Sequence, residues 1–360
     1  MTESIFPHSV DSLFTTSSVG SLDRALANNL YGINHTQTPG MVSSNRDHQG
    51  YLFMTRPQLN LQVDNLRNIR ELYPLLTGNP DSLARYIRML LDPRLGVGYR
   101  YKKGKDKYGF IPPLTCPLID NNNCFIPFIT NNLISCSGWP DETIQTHNSD
   151  TGLYKQVFTT AEGVVRNFGN WDLTLNIQNI MGDPASLMLH TWLHYMSAVK
   201  EGRMDPYHDY ILNDRLDYNT RIYRLVVDHK KEKVTKIMAC IAGFPTSNPT
   251  GMFGDFNREL PFSTQTKELS VRINCTGFVV YDPLLVKTFN QSVGIFNTAM
   301  RSDKVRETNM IRLSRKNRSS FKNRVYPRID PDTMDLEWWV TPETYQRHMD
   351  DDLNKISTYF

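Results

Sequence analysis

The stretch Trp171-Asp-Leu-Thr-Leu-Asn-Ile-Gln178, followed by Asp183-Pro-Ala-Ser-Leu-Met-Leu-His-Thr-Trp-Leu-His-Tyr-Met-Ser-Ala-Val-Lys200, decides the fold. In the first segment Leu173, Leu175 and Ile177 alternate with polar neighbours, the period of a half-buried strand. In the second, Met188, Leu189, Trp192, Tyr195, Met196 and Val199 share one helical stripe. Asp183 is expected to cap that helix, Pro184 suits its first position, and Gly202 can take the left-handed conformation that ends it. Leu189, Trp192 and Met196 are the expected anchors of helix on sheet.

Downstream, Thr220–Val227 and Lys233–Ile241 flank the charged turn Asp228-His-Lys-Lys-Glu232 and predict a β-hairpin. Gly243 to Gly251 breaks the chain, with Phe244 and Pro245 expected to fix the strand end, and Glu268–Phe278 supplies a last alternating strand. The order resembles the core of tail-tube proteins from long-tailed bacteriophages. The segments that carry the likeness are Ala242-Gly-Phe-Pro-Thr-Ser247, the loop Phe253-Gly-Asp-Phe256 and the strand Leu269-Ser-Val-Arg-Ile273, after a helix bearing Trp192. The likeness extends from about Gly50 to Asn290, and its motifs form a pattern rather than a catalytic signature.

The resemblance implies an α+β fold, mainly antiparallel β: a tail-tube-like β-sandwich or barrel with one packed α-helix, plus extended N- and C-terminal arms. It implies a non-enzymatic virion structural protein, made in the bacterial host cytoplasm and built into a phage tail. Its partners would be itself, in a hexameric ring whose inner sheets join into one channel, and other tail proteins of sheath, baseplate or neck. DNA would be passing cargo only. Additions to the compact subunit suggest a tube-initiating ring at the baseplate of a contractile tail, or a decorated tube. A neck or tail-terminator protein is the alternative within the virion; a phage nucleic-acid-binding protein is the alternative of another class.

Composition sets the outer bounds. The 360 residues carry 40 Lys plus Arg against 37 Asp plus Glu, a net charge of +3 that speaks against a general polyanion binder. Five cysteines without a Cys-x-x-Cys pair favour packed thiols over a disulfide frame or zinc site. No apolar run approaches the roughly 20 residues that cross a bilayer, and the first residues carry no signal-sequence pattern, so no membrane role is expected.

The expected domains are a flexible or extended N-terminal arm over 1–49, a β domain over 50–290, and a C-terminal extension over 291–360. The β domain carries a helical and loop insertion at about 65–135. Within the insertion, helical spacing predicts two short helices across Asn65 to Asp92, the second capped by Asp81. Gly96 to Gly109 reads as a basic loop, and Pro112, Pro113, Pro117 and Pro127 predict extended pieces over Ile111 to Ile134. Thr143 to Gln156 reads as a protruding loop or hairpin.

Candidate contact residues are cationic or acidic. In the basic loop, Arg100, Lys102, Lys103 and Lys105 are either solvated or set against an acidic partner surface. In the extension, residues 301–324 are basic, with Arg312, Arg315, Lys316 and Arg318 at their centre, and residues 330–352 are acidic, ending in Asp350, Asp351 and Asp352. Opposite charge on one subunit suits pairing between copies; the same basic run is what the nucleic-acid alternative would use.

Enzyme and metal chemistry find little support. His190 and His194 have metal-ligand spacing, but Thr191 stands where a zinc protease needs glutamate, and no third ligand is near. Asp205, Asp209, Asp214 and Asp217 lack the glycine and terminal glutamate of a calcium loop and read as a wet acidic loop. Phosphate-binding and nucleophile motifs are absent, so no cofactor, metal or catalytic residue is expected.

Overall fold

The computed structural model describes residues 47–102, 108–163, 168–259, 261–314 and 324–348. The expected N-terminal arm thus lies outside the described residues except at its end, where His48 already begins a strand. The strands are β1 His48–Met54, β2 Tyr99–Lys102, β3 Tyr108–Ile111, β4 Leu133–Ser137, β5 Thr146–Asn148, β6 Thr159–Ala161 and β7 Asn170–Gln178. They continue as β8 Thr220–Val227, β9 Val234–Pro245, β10 Glu268–Val280, β11 Ile311–Arg312, β12 Tyr326–Ile329 and β13 Leu336–Val340.

Six of them form one antiparallel sheet in the order β1-β8-β9-β10-β7-β4. Its two edges are drawn toward one element. Beyond β1, Thr55 bridges Phe125, and the helix Pro127–Asn132 then touches β1 on one side and β4 and β7 on the other. The fold is α+β, mainly antiparallel, with a large sheet curled towards a barrel. Curling needs local irregularities. One lies in β1, where Gly50 has φ +64° and an added Cβ would meet the Leu225 carbonyl oxygen at 2.1 Å. Another lies in β9, where pairing steps from Gly243 opposite Thr220 to Cys240 opposite Ile222.

Alternation along the strands sorts side chains onto two faces. Leu52, Leu173, Leu175, Ile177, Ile222, Leu269, Val271 and Ile273 pack with the helix Pro184–Lys200 and with Leu59 to Leu91 of the insertion. Phe53, Tyr223, Leu225, Val227 and Ile237 pack on the opposite side with the helix Leu284–Phe296 and with β12 and β13. Phe53, Phe125 and Phe289 join rings there at 4.8–5.4 Å.

The helix Pro184–Lys200 stands where its spacing predicts. Trp192 is fully buried and its indole N–H donates to the Tyr218 carbonyl at 3.2 Å. Leu189 is buried beside it, and Met196 is half-buried against the same cluster. The C-terminus closes as expected: Gly202, at φ +72°, donates to the Val199 carbonyl and Arg203 to that of Ala198. The N-terminus does not. Asp183 sits at φ 50° rather than in the extended conformation of a capping residue, and its carboxylate accepts from the Asn179 amide instead.

Other expectations are corrected. The second insertion helix, Leu83–Leu91, is capped by Ser82, whose hydroxyl accepts from the Arg85 N–H, and not by Asp81. The first half of the insertion is only a helical turn at Val63–Leu66 and a 3₁₀ turn at Tyr73–Leu76. The expected basic loop contains paired strands, β2 and β3. Pro127 starts a helix instead of an extended piece, since proline fits a first helical position. More than one helix packs on the sheet, Leu284–Phe296 being the second long one. Within the expected C-terminal arm, β11, β12 and β13 form a three-stranded sheet in the order β11-β13-β12, with Tyr326, Ile329, Leu336 and Trp339 in the core.

Candidate assembly surfaces

The described residues cover the second face of the sheet only in part. Over β1, β8 and β9 it carries the apolar layer just described; over β10, β7 and β4 it carries Ser, Thr, Asn and Gln with Asp172, Glu268 and Arg272 among them. Rungs of hydrogen bonds tie that half together. Asn176 Nδ2 donates to Ser135 Oγ at 2.8 Å, Asn274 Nδ2 to Asp172 Oδ1 at 3.2 Å, and Thr276 Oγ1 to Asn170 Oδ1 at 2.8 Å, all at the surface. Ser270 and Arg272 are exposed on the same side of β10. This is a near-neutral, internally paired polar sheet face with β4 as its free edge.

The segment between β4 and β7 forms the predicted projection. β5 and β6 pair with Thr146 opposite Ala161 and Asn148 opposite Thr159, and every residue of both strands is exposed. β6 starts only at Thr159, because residues 152–156 form the turn.

The basic and acidic candidates are placed unevenly. Arg100 and Lys102 lie in β2; Lys103, Lys105, Arg315, Lys316, Arg318, Asp350, Asp351 and Asp352 lie outside the described residues. Arg312 pairs within its own chain, with Glu337 at 3.0 Å and Asp335 at 4.0 Å. Glu337 is buried and also accepts from Arg328 and from the Trp339 indole, each at 3.0 Å. Arg306 and Arg328 share Asp303 at 2.7 and 3.0 Å, and Arg306 lies over the Trp339 ring. Charges of the basic and acidic runs thus meet inside one subunit here, while Arg301 and Lys304 stay exposed. Phe244 is half-buried edge-on to Tyr218, and Pro245 is buried at the end of β9.

The loop after the helix Pro184–Lys200 is not uniformly wet. Asp217 is buried and accepts from the Tyr195 hydroxyl. Asp92, fully buried in the insertion, accepts from the Leu61 N–H at 2.9 Å and from the Tyr207 hydroxyl at 2.8 and 3.0 Å. Burial pushes Asp92 up to about 7 against those hydrogen bonds and the nearby Arg88, and burial likewise raises Asp217. Asp209 holds Arg94 through two 2.7 Å bonds, and Arg94 stacks on Tyr207 and Tyr210. These contacts tie the insertion to the loop. A buried cation escaped the sequence reading too: Arg56 donates to the carbonyls of Met89, Leu90 and Asn123 at 2.7–2.9 Å, and burial lowers it to about 10. Its one signal was the Arg56-Pro57 interruption of a strand.

The imidazoles of His190 and His194 lie 4.1 Å apart, with His190 lowered by burial and then by its neighbour. Among the described residues no group of three metal-ligating side chains gathers, and no helix is long and apolar enough to cross a membrane.

A family model described as "Putative phage tail tube protein" matches residues 4–354. Among solved structures the chain is similar to the anti-feeding prophage cap, a tube-terminating cap, at 13% identity and a TM-score of 0.26, covering 44% of this chain and 82% of that one. It is also similar to the PVC sheath/tube terminator of an extracellular contractile injection system in its extended state. That likeness has 13% identity and a TM-score of 0.24, covering 44% of this chain and 87% of the other. No curated protein matches.

Proposed function

The chain belongs to the family described as "Putative phage tail tube protein", and on that premise we propose that it is a ring-forming subunit of the tail tube or of the ring that starts it. Membership makes it a structural component of a phage tail and so of the virion, working with other tail components. Ring formation, a hexameric count and the direction of each face are the finer reading.

The observation that carries this reading is the half-covered sheet. A large antiparallel sheet with β1 and β4 as its outermost strands, β4 having no further strand beside it among the described residues, is prone to pair with another chain, and closing a ring removes such edges. The polar face of β10, β7 and β4 then suits a channel wall. Three pairs of its side chains hydrogen-bond to one another, and among the described residues of these strands Arg272 is the one cation on that side. DNA held by several Lys or Arg contacts binds tightly in a salt-dependent way, which would oppose passage. A near-neutral polar wall offers few such contacts. No catalytic constellation is needed for this role.

Sedimentation across a wide range of concentration tests it, with and without duplex DNA. The expected result is concentration-dependent ring-sized species whose formation does not need DNA. A subunit that stays monomeric alone and binds DNA at physiological salt would favour the nucleic-acid alternative.

A further inference from the structure

The segment that carries the hairpin β5–β6 leaves and rejoins the sheet at one end of β7. Ser137, the last residue of β4, pairs with Thr174, and the Gly277 N–H donates to the Gly169 carbonyl at 3.2 Å just before Asn170 begins β7. The hairpin turn is well made: Gly152 N–H donates to the Gln156 carbonyl at 2.9 Å, and the Ser149 N–H to the Phe158 carbonyl at 2.8 Å. It holds Leu153, Tyr154 and Phe158 in water, the two rings 86% and 69% exposed. A lone two-stranded hairpin is marginal in water, and clustered apolar side chains on a projection mark a contact surface.

The other end of the same strands carries a second apolar cluster. The Asn179 N–H, just past β7, donates to the Lys267 carbonyl, just before β10, at 2.8 Å. Met181 and Phe262 flank that junction, the Phe262 ring meets Phe253 at 6.1 Å, and Phe256 lies in the loop that this contact closes. Met181 is fully exposed, Phe256 is 91% exposed and Phe262 50%. β7, nine residues long, separates the two ends by about 30 Å.

Area indicates what covers them. A buried aromatic side chain contributes about 150–250 Å², so Tyr154, Phe158, Phe256 and Phe262 at their exposures would bring roughly 600 Å² to a contact. At the usual apolar share of about 57%, that corresponds to roughly 1,000 Å² in all, the size at which a specific interface begins. Neither cluster reaches that size alone; the two facing each other do. Resting on the ring-forming reading above, we propose that the apolar tip of the hairpin β5–β6 docks on the cluster of Met181, Phe256 and Phe262 of a second copy displaced along the strand direction, in the next ring. Because the two surfaces differ and lie at opposite ends of the subunit, the contact is head-to-tail and repeats from ring to ring.

Two variants test the proposal, each blunting one end. Leu153→Ser, Tyr154→Ser and Phe158→Ser together remove the tip; Met181→Ser with Phe256→Ser removes the receiving cluster. All five residues are exposed, so both proteins should unfold at the wild-type urea midpoint. In sedimentation and electron micrographs each variant should still form single rings, and the concentration needed to stack them should rise at least about tenfold. Rings of the two variants, assembled separately and then mixed, should join into two-ring particles and no longer ones, because each variant keeps one working end. If wild-type rings stack and either variant stacks equally well, or the mixture gives no two-ring particles, the docking is wrong while the ring reading stands. Stacking that survives in the cluster variant and fails in the tip variant would point to tip-to-tip contact instead and overturn the proposal in the same way, as would wild-type rings that never stack. A wild type that stays monomeric throughout overturns both.

Discussion

Asp92 shows what a single buried carboxyl does to this molecule. Its pKa is raised by burial to about 7, so the folded chain keeps a proton that the unfolded chain releases near pH 4. The stability it contributes is therefore full below the ordinary carboxylate range and is lost as pH rises through about 7. Asp217, raised in the same direction, adds to that slope. Asp92→Asn stays neutral and keeps an oxygen for the Leu61 N–H. We expect it to flatten the dependence of stability on pH between about 4 and 7 and to be more stable than the wild type at pH 8, as read by urea unfolding. An unchanged slope would show that Asp92 does not carry the effect.

Trp192 is the corresponding apolar residue. Its ring is fully buried between helix and sheet, and its N–H serves the Tyr218 carbonyl. Trp192→Ala should cost about 3–5 kcal/mol in chemical denaturation and leave that carbonyl without its donor. A midpoint within error of the wild type would mean the helix does not depend on this contact.

At the level of elements, local rules explain what the sequence disclosed. β7, the helix Pro184–Lys200, the hairpin of β8 and β9, and β10 each announce themselves through an unbroken period and a local stop signal. The elements that stayed hidden are those whose residues answer to distant partners. β13 reads as part of an acidic run because Glu337 looks like a solvated charge; in the fold it is buried under Arg312, Arg328 and the Trp339 indole. The same is true of Asp217, an apparent member of a wet cluster that Tyr195 reaches from another element. That the described residues leave the polar face of β10, β7 and β4 open was equally illegible, because strand alternation gives a polar side but not what covers it.

Glu337 makes this testable. Removing Glu337 takes the buried acceptor from Arg328 and from the Trp339 indole, while Asp303 still holds Arg328, so Glu337→Ala should destabilise the fold by about 1–3 kcal/mol. Hydrogen exchange should show the loss first in β11 to β13 and the helix Leu284–Phe296. Uniform protection in that region, equal to the wild type, would remove the cluster from the account.

At the scale of the whole molecule, two apolar layers and one bare polar half-face give the curled sheet a direction. Membership of the tail-tube family says that the subunit works in an assembly; the polar half-face is the side we propose for passing cargo. Electron cryomicroscopy of the assembled protein tests this most directly. The account predicts closed rings around a central hole, with Ser135, Asn176 and Asn274 on the wall of that hole. A ring that turns those residues outward, or particles without a hole, would contradict it.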